Sequence, residues 1–175
     1  MSSNSLHDTW TIWYDKPNLE VKTENWDQFL IEISSFNTLE NFWSLVNNLN
    51  RLSDIGVNGS YHFFKKGIQP KWEDVENVDG GKWVFTMNLE HSIDINMLWE
   101  KTVSFLIGGG FGLKQNIMIN GIVGSIKKGQ VKFALWTKCS NNKRIQLSLG
   151  EKWKLFFLKQ KLNKSFILEY HEHKN

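Results

Sequence analysis

Apolar and polar positions change period along this chain, and each change marks an element. WTIWY at 10–14, FLIEI at 29–33, SYHFF after Gly59, KWVFTM at 82–87 and SFILEY at 165–170 are short aromatic and β-branched runs that read as strands. GIVGSIK (121–127) and VKFALWT (131–137) flank Lys128-Gly129-Gln130 and read as a hairpin. Elsewhere the apolar spacing lengthens to three and four. LENFWSLVNNLNRL, from Leu39, predicts a helix with Asn37 or Thr38 as N-cap and Glu40 in the first turn. Its apolar residues fan over roughly 160°, wider than the ~100° stripe that a surface helix buries, which leaves Leu39 and Trp43 at an edge of the arc and at the surface. IDINMLWEKTVSFLIG predicts a second helix ended by Gly108-Gly109-Gly110, and a third is expected near 142–157. Strands that follow one another without helical crossovers favour an α+β fold: a curved antiparallel sheet of about eight strands, backed on one face by three helices. The other face is then concave and free for a ligand.

The stretch QPKWEDVENVDGGKW (69–83) sits poorly in that scheme. Pro70 and Gly80-Gly81 punctuate a loop, so Trp72 belongs to no regular element that would explain it, and it stands directly before Glu73 and Asp74. Nine tryptophans in 175 residues sharpen the question, because an indole N–H needs a partner when buried and several of the nine should be partly exposed.

Length and mean hydropathy, −0.39, fit one domain over 1–175, with a short flexible N-terminus at about 1–6. MSSNSLHDTW lacks the features of a signal peptide and no apolar run reaches the ~20 residues of a membrane span, so a cytoplasmic location, with the nucleus as a second site, is expected, and no membrane partner. A lone Cys139 excludes an internal disulfide. A net charge of +3 is compatible with a polyanion, and among the 21 basic residues only Arg51 and Arg144 are arginine, so phosphate would meet point charges rather than planar forks.

Catalytic signals are poor. Cys139 has no nucleophile context, and His62 and His91 read as structural. His171-Glu172-His173 lacks a nearby third metal ligand, and GGGFG (108–112) lacks the lysine and hydroxyl of a phosphate loop. Asn58-Gly59-Ser60 and Asn163-Lys164-Ser165 match glycosylation acceptors by chance. No cofactor or metal is expected. What remains are tryptophans near turns with charges beside them: Trp26, Trp72 and Trp136. Two aromatic planes sandwich a flat base, and a positive charge on that base strengthens each stack by ~2 kcal/mol once water is excluded. A neighbouring carboxylate accepts from a guanine edge, and lysines on the adjacent hairpin meet phosphates. Two other classes compete: a metal-dependent nucleotide or RNA-processing enzyme using Glu73, Asp74 and Asp79, and an aromatic-rich protein-interaction domain.

Trp10-x-x-Trp13, Trp26, NTLENFW, Gly67-Ile68-x-Pro70-x-Trp72-Glu73-Asp74, Gly80-Gly81-Lys82-Trp83, Trp99 before Leu106-Ile107-Gly108, and Ala134-Leu135-Trp136-Thr137 run in one order over the whole chain. In that order they resemble the eukaryotic translation initiation factor 4E family, which binds the 7-methylguanosine cap of mRNA without enzymatic activity. The resemblance implies that Trp26 and Trp72 stack the methylated base, that Glu73 reads its Watson–Crick edge and that Trp136 lies against the N7-methyl group. It implies cap-phosphate contacts at Lys127, Lys132 and Lys82, with lysine at 127 where the family uses arginine. It further implies a monomer whose dorsal face, with Leu39 and Trp43, docks an initiation factor 4G-like scaffold or a repressor. There Glu100 and Lys101 replace the usual leucine and glutamate, and Ser104 another leucine, so a partner with a non-standard motif is expected. Asp74 is left a loop-capping role.

Overall fold

A computed structural model describes residues 4–16, 29–89, 94–162 and 165–173. Its seven strands are β1 Ser5–Asp15, β2 Leu30–Thr38, β3 Ser60–Lys65, β4 Gly81–Asn88, β5 Ile119–Lys127, β6 Gln130–Thr137 and β7 Ile167–Glu172. They form one sheet in the order β2-β1-β3-β5-β6-β4-β7, with every pairing antiparallel. Seven strands among the described residues agree with the curved antiparallel sheet expected from the sequence. β1 already begins at Ser5, inside the stretch expected to be flexible.

Alternation in the strands decides which face is core. In β6, Val131, Phe133, Leu135 and Thr137 are buried while Lys132, Ala134 and Trp136 face the other side. Three long helices cover the buried face: α1 Leu39–Val46, α2 Ile95–Ile107 and α4 Lys143–Lys159, with a single turn, α3 Leu113–Asn116, that the sequence pattern does not announce. Each start is capped by a side-chain oxygen, of Thr38, Asp94 and Asn142 respectively, accepting from a backbone N–H three residues on. α2 stops at Gly108 as expected. α1 is shorter than expected: it ends at Val46, not near Leu52. The cause is the Asn-rich continuation, in which Asn47 takes the C-cap and the Asn48 Nδ2 donates to the Ser44 carbonyl, side chains competing with the helix for backbone partners.

Aromatic rings join the layers. Phe85 stacks on Phe157 of α4 with centroids 3.9 Å apart, and Trp99 of α2 meets Phe133 and Phe63 at 5.1 and 5.8 Å. α2 and α4 come this close because glycines lie beneath the large rings: a Cβ on Gly124 of β5 would sit 2.7 Å from Trp99, and one on Gly150 of α4 2.4 Å from Trp83. Trp10, Trp99 and Trp153 are thus core residues, whereas Trp13, Trp83 and Trp136 are half-buried and Trp43 and Trp72 each keep 40% of their surface exposed. Trp26 lies outside the described residues.

Candidate nucleic-acid interface

The uncovered face of the sheet carries residues in rows set by strand register. One row runs Asp15–Ser60–Ser125–Lys132–Thr86 across β1, β3, β5, β6 and β4. The next runs Trp13–His62–Val123–Ala134–Val84, and a third contains Thr11, Phe64, Gly121, Trp136 and Lys82. Trp136 and Lys82 are therefore direct cross-strand partners, and the Lys82 Nζ stands 5.6 Å from the Trp136 ring centroid. Phe64 meets the same indole edge-on at 5.4 Å, and His173 at 4.4 Å. The sequence-predicted lysines converge here. Burial lowers the pKa of Lys82, and Lys132 and Lys127 lower it further by repulsion. Three cations sharing one face with so little acid among them favour an anion.

Trp72 and Glu73 project from the loop between β3 and β4, both exposed and outside any helix or strand. That loop is held by polar side chains. Asp74 accepts from the backbone N–H of Gln69 and of Glu76, each at 2.9 Å, the loop-capping role expected of it. Both its oxygens serve the loop, which leaves Glu73 and Asp79 as the remaining carboxylates of the enzyme alternative. Among the described residues no three His, Cys, Asp or Glu side chains are grouped to hold a metal ion.

Asn77 does more than Asp74, and nothing in the sequence pattern singled it out. Fully buried, its Nδ2 donates to the carbonyls of Gln69 and Lys71 at 2.9 and 2.8 Å. Its Oδ1 accepts from the Nδ2 of Asn120 on β5, another fully buried amide, which also donates to the Glu76 carbonyl. The Asn77 carbonyl is 2.8 Å from Nδ1 of His173, so that nitrogen carries the proton. His173, expected only as part of a metal-like fragment, thereby links the Trp72 loop to the Trp136 ring. Burial, the leading cause, and Lys82 lower its pKa, against the bond to Asn77, which raises it. His62 is structural as expected: fully buried, it pairs through Nε2 with Ser60 Oγ at 2.9 Å, and burial pushes its pKa down to about 3, so it stays neutral.

On the opposite side, α1, α2 and α4 frame a groove lined by Trp43, Met97, Glu100, Lys101, Ser104, Phe105, Phe156 and Gln160. The structure thus brings Trp43, Glu100 and Lys101 together, while Leu39 is half-buried at the start of α1 and does not line the groove. Cys139 is exposed on the turn before α4. No described helix is long and apolar enough to cross a membrane.

Comparison with known proteins gives one answer. The family model described as "Eukaryotic initiation factor 4E" matches residues 5–175. The chain is 36% identical over 163 residues to eukaryotic translation initiation factor isoform 4E of Nicotiana tabacum, covering 93% of this chain and 80% of that protein. It is 40% identical over 149 residues to eukaryotic translation initiation factor 4E of Saccharomyces cerevisiae, covering 85% and 68%. Among solved structures, Ascaris suum eIF4E-3 in complex with an m2,2,7G cap superposes with a TM-score of 0.86 at 28% identity, covering 99% of this chain and 93% of that one. The Caenorhabditis elegans eIF4E-3 complex with the 4E-binding protein Mextli gives 0.84 at 27%, covering 99% and 95%.

Proposed function

This chain belongs to the eukaryotic initiation factor 4E family, and from that premise we propose how its own residues bind the 7-methylguanosine cap of mRNA for translation initiation. It is a binding factor, not an enzyme. Trp72 forms one wall of a slot for the cationic base, and Glu73, next along the same loop, accepts from the guanine edge and balances its charge. Trp26, outside the described residues, is the second wall. Trp136 closes the end of the slot against the methyl group, and Lys82, Lys127 and Lys132 receive the phosphates.

The observation that carries this reading is the linkage through Asn77. The buried Asn77 side-chain amide holds the loop of Trp72 and Glu73, and the Asn77 backbone carbonyl fixes the histidine that packs on Trp136, whose cross-strand partner is Lys82. The loop of the base wall and edge reader is thereby joined, through hydrogen bonds and ring contacts, to the strand of the first phosphate lysine. The groove of Trp43, Glu100 and Lys101 takes a scaffold or repressor of the kind represented by Mextli. A cytoplasmic site of action is part of the same proposal.

Titration of intrinsic tryptophan fluorescence with 7-methyl-GTP and with GTP tests it. Stacking quenches emission, and the methylated nucleotide should bind at least about 100-fold more tightly, the ratio equivalent to ~2–3 kcal/mol of cation–π energy. Equal affinities would remove the base-recognition reading.

A further inference from the structure

Asp15 ends β1 on the uncovered face, in the same row as Lys132, with only the short side chains of Ser60 and Ser125 between them. Lys127 lies two residues beyond Ser125 on β5, on the same face, and its Nζ reaches back toward β3, donating to Asn58 Oδ1 at 3.4 Å. Asp15 is therefore two strand spacings, ~10 Å of backbone, from the strand of a lysine whose side chain leans its way. No ion pair within 4.0 Å satisfies the Asp15 carboxylate among the described residues, while Lys127 is the charge that acts on it.

We propose that Asp15 competes internally with cap phosphates for the Lys127 ammonium, and so sets how strongly this site prefers phosphorylated over unphosphorylated ligands. The inference rests on the reading of Lys127 as a phosphate contact. When a phosphate takes Lys127, Asp15 loses a favourable charge and meets a new negative one. Binding of the phosphate chain therefore works against an ionised Asp15, whereas binding of the base alone does not.

Protonation of Asp15 relieves the conflict. Burial already pushes its pKa from 3.8 up to about 6, with Lys127 opposing, and the approach of phosphate pushes it higher. Phosphate binding thus takes up a proton, and this component of affinity rises as pH falls through the window at and above 6. The groups around Asp15 leave the sign intact. β2 presents Leu30 opposite it, with exposed Glu32 two residues along; β3 presents Ser60 and the neutral His62; exposed Lys16 follows it; and Lys127, Lys132 and Lys82 stand on the same face of the sheet. His171, opposite Lys82, and His173 are common to every variant, so the difference between variants is the quantity that matters.

The test measures binding of the nucleoside 7-methylguanosine and of the dinucleotide cap m7GpppG, whose bridging phosphates do not titrate near neutrality, to native protein, Asp15→Asn, Lys127→Met and the double variant. At about pH 7.5, Asp15→Asn should bind the dinucleotide about threefold more tightly, the size of effect measured for partly exposed charge pairs, with nucleoside binding unchanged. The native protein should close that gap toward about pH 5.5, and the gain should shrink in the Lys127→Met background, where only direct repulsion between Asp15 and the phosphates remains. No gain for Asp15→Asn, or an equal gain for the nucleoside, overturns the inference while leaving the phosphate role of Lys127 standing. Undiminished dinucleotide affinity in Lys127→Met alone overturns that role and the inference with it. Removing this half-buried charge does not endanger the fold: the raised pKa means that ionised Asp15 costs stability as pH rises from 3.8 to about 6, a cost that asparagine lacks.

Discussion

Asn77→Ala tests whether the buried amide network, rather than the tryptophans alone, makes the cap slot. The substitution removes three hydrogen bonds: those from Nδ2 to the carbonyls of Gln69 and Lys71, and the one that Oδ1 accepts from Asn120. At a net ~1 kcal/mol each the loss is about 3 kcal/mol. In a domain of 175 residues this lowers the melting temperature by roughly 6–12 °C. Asp74 still ties Gln69 to Glu76, so the loop stays attached, but Trp72 and Glu73 must then be ordered at the moment of binding. Re-ordering a few backbone residues at ~1 kcal/mol each predicts about a tenfold to hundredfold weaker affinity for 7-methyl-GTP. Thermal unfolding by circular dichroism gives the first quantity, and calorimetric titration well below the melting temperature gives the second. Asn77→Asp, which keeps Oδ1 for Asn120 but turns a buried carboxylate oxygen toward the carbonyls of Gln69 and Lys71, should melt below the alanine variant. A variant that melts early yet binds 7-methyl-GTP with native affinity would refute the reasoning, since the network would then stabilise the fold without positioning the site.

Two further outcomes follow from the lysine site and the dorsal groove. Lys127→Arg should strengthen 7-methyl-GTP binding about fivefold by adding bidentate geometry, with 7-methylguanosine unaffected; calorimetry showing no gain for the nucleotide would sink the idea of a looser triphosphate grip. A helical peptide carrying the basic residue that ordinarily faces the family's dorsal glutamate should bind this chain about tenfold more weakly than its own partner, because Lys101 now faces that charge; pull-down at ordinary affinity, or no improvement on Lys101→Glu, would argue against it.

Much of this molecule was legible in its sequence because the informative contacts are local. VKFALWT alternates and becomes β6 with Trp136 and Lys132 on the free face; Thr38 and Gly108 cap what they were expected to cap; Asp74 turns back on its own loop. The reach of α1 was overestimated because apolar spacing continues past Asn47 whereas side-chain competition ends the helix there. The pairing of His173 with Asn77 is hidden for a different reason: they are 96 residues apart, and a partnership between a residue just past the last strand and a loop carbonyl leaves no mark in any local window. Asn120 and Asp15 are alike in this. Each gains its meaning only from the strand placed beside it, and the order of strands in a sheet is not written in their own hydrophobic pattern.

That strand order also dictates when the binding site can exist. β3 and β4 are consecutive in the chain but stand three strand spacings apart, ~14 Å, with β5 and β6 between them. The loop of Trp72 and Glu73 therefore bridges a gap that residues made later must fill. During synthesis from the N-terminus its two ends have no fixed separation until the β5–β6 hairpin has emerged and inserted, and His173 arrives later still. A protein devoted to starting translation is thus unable to hold its ligand until the last strand of this sheet has left the ribosome.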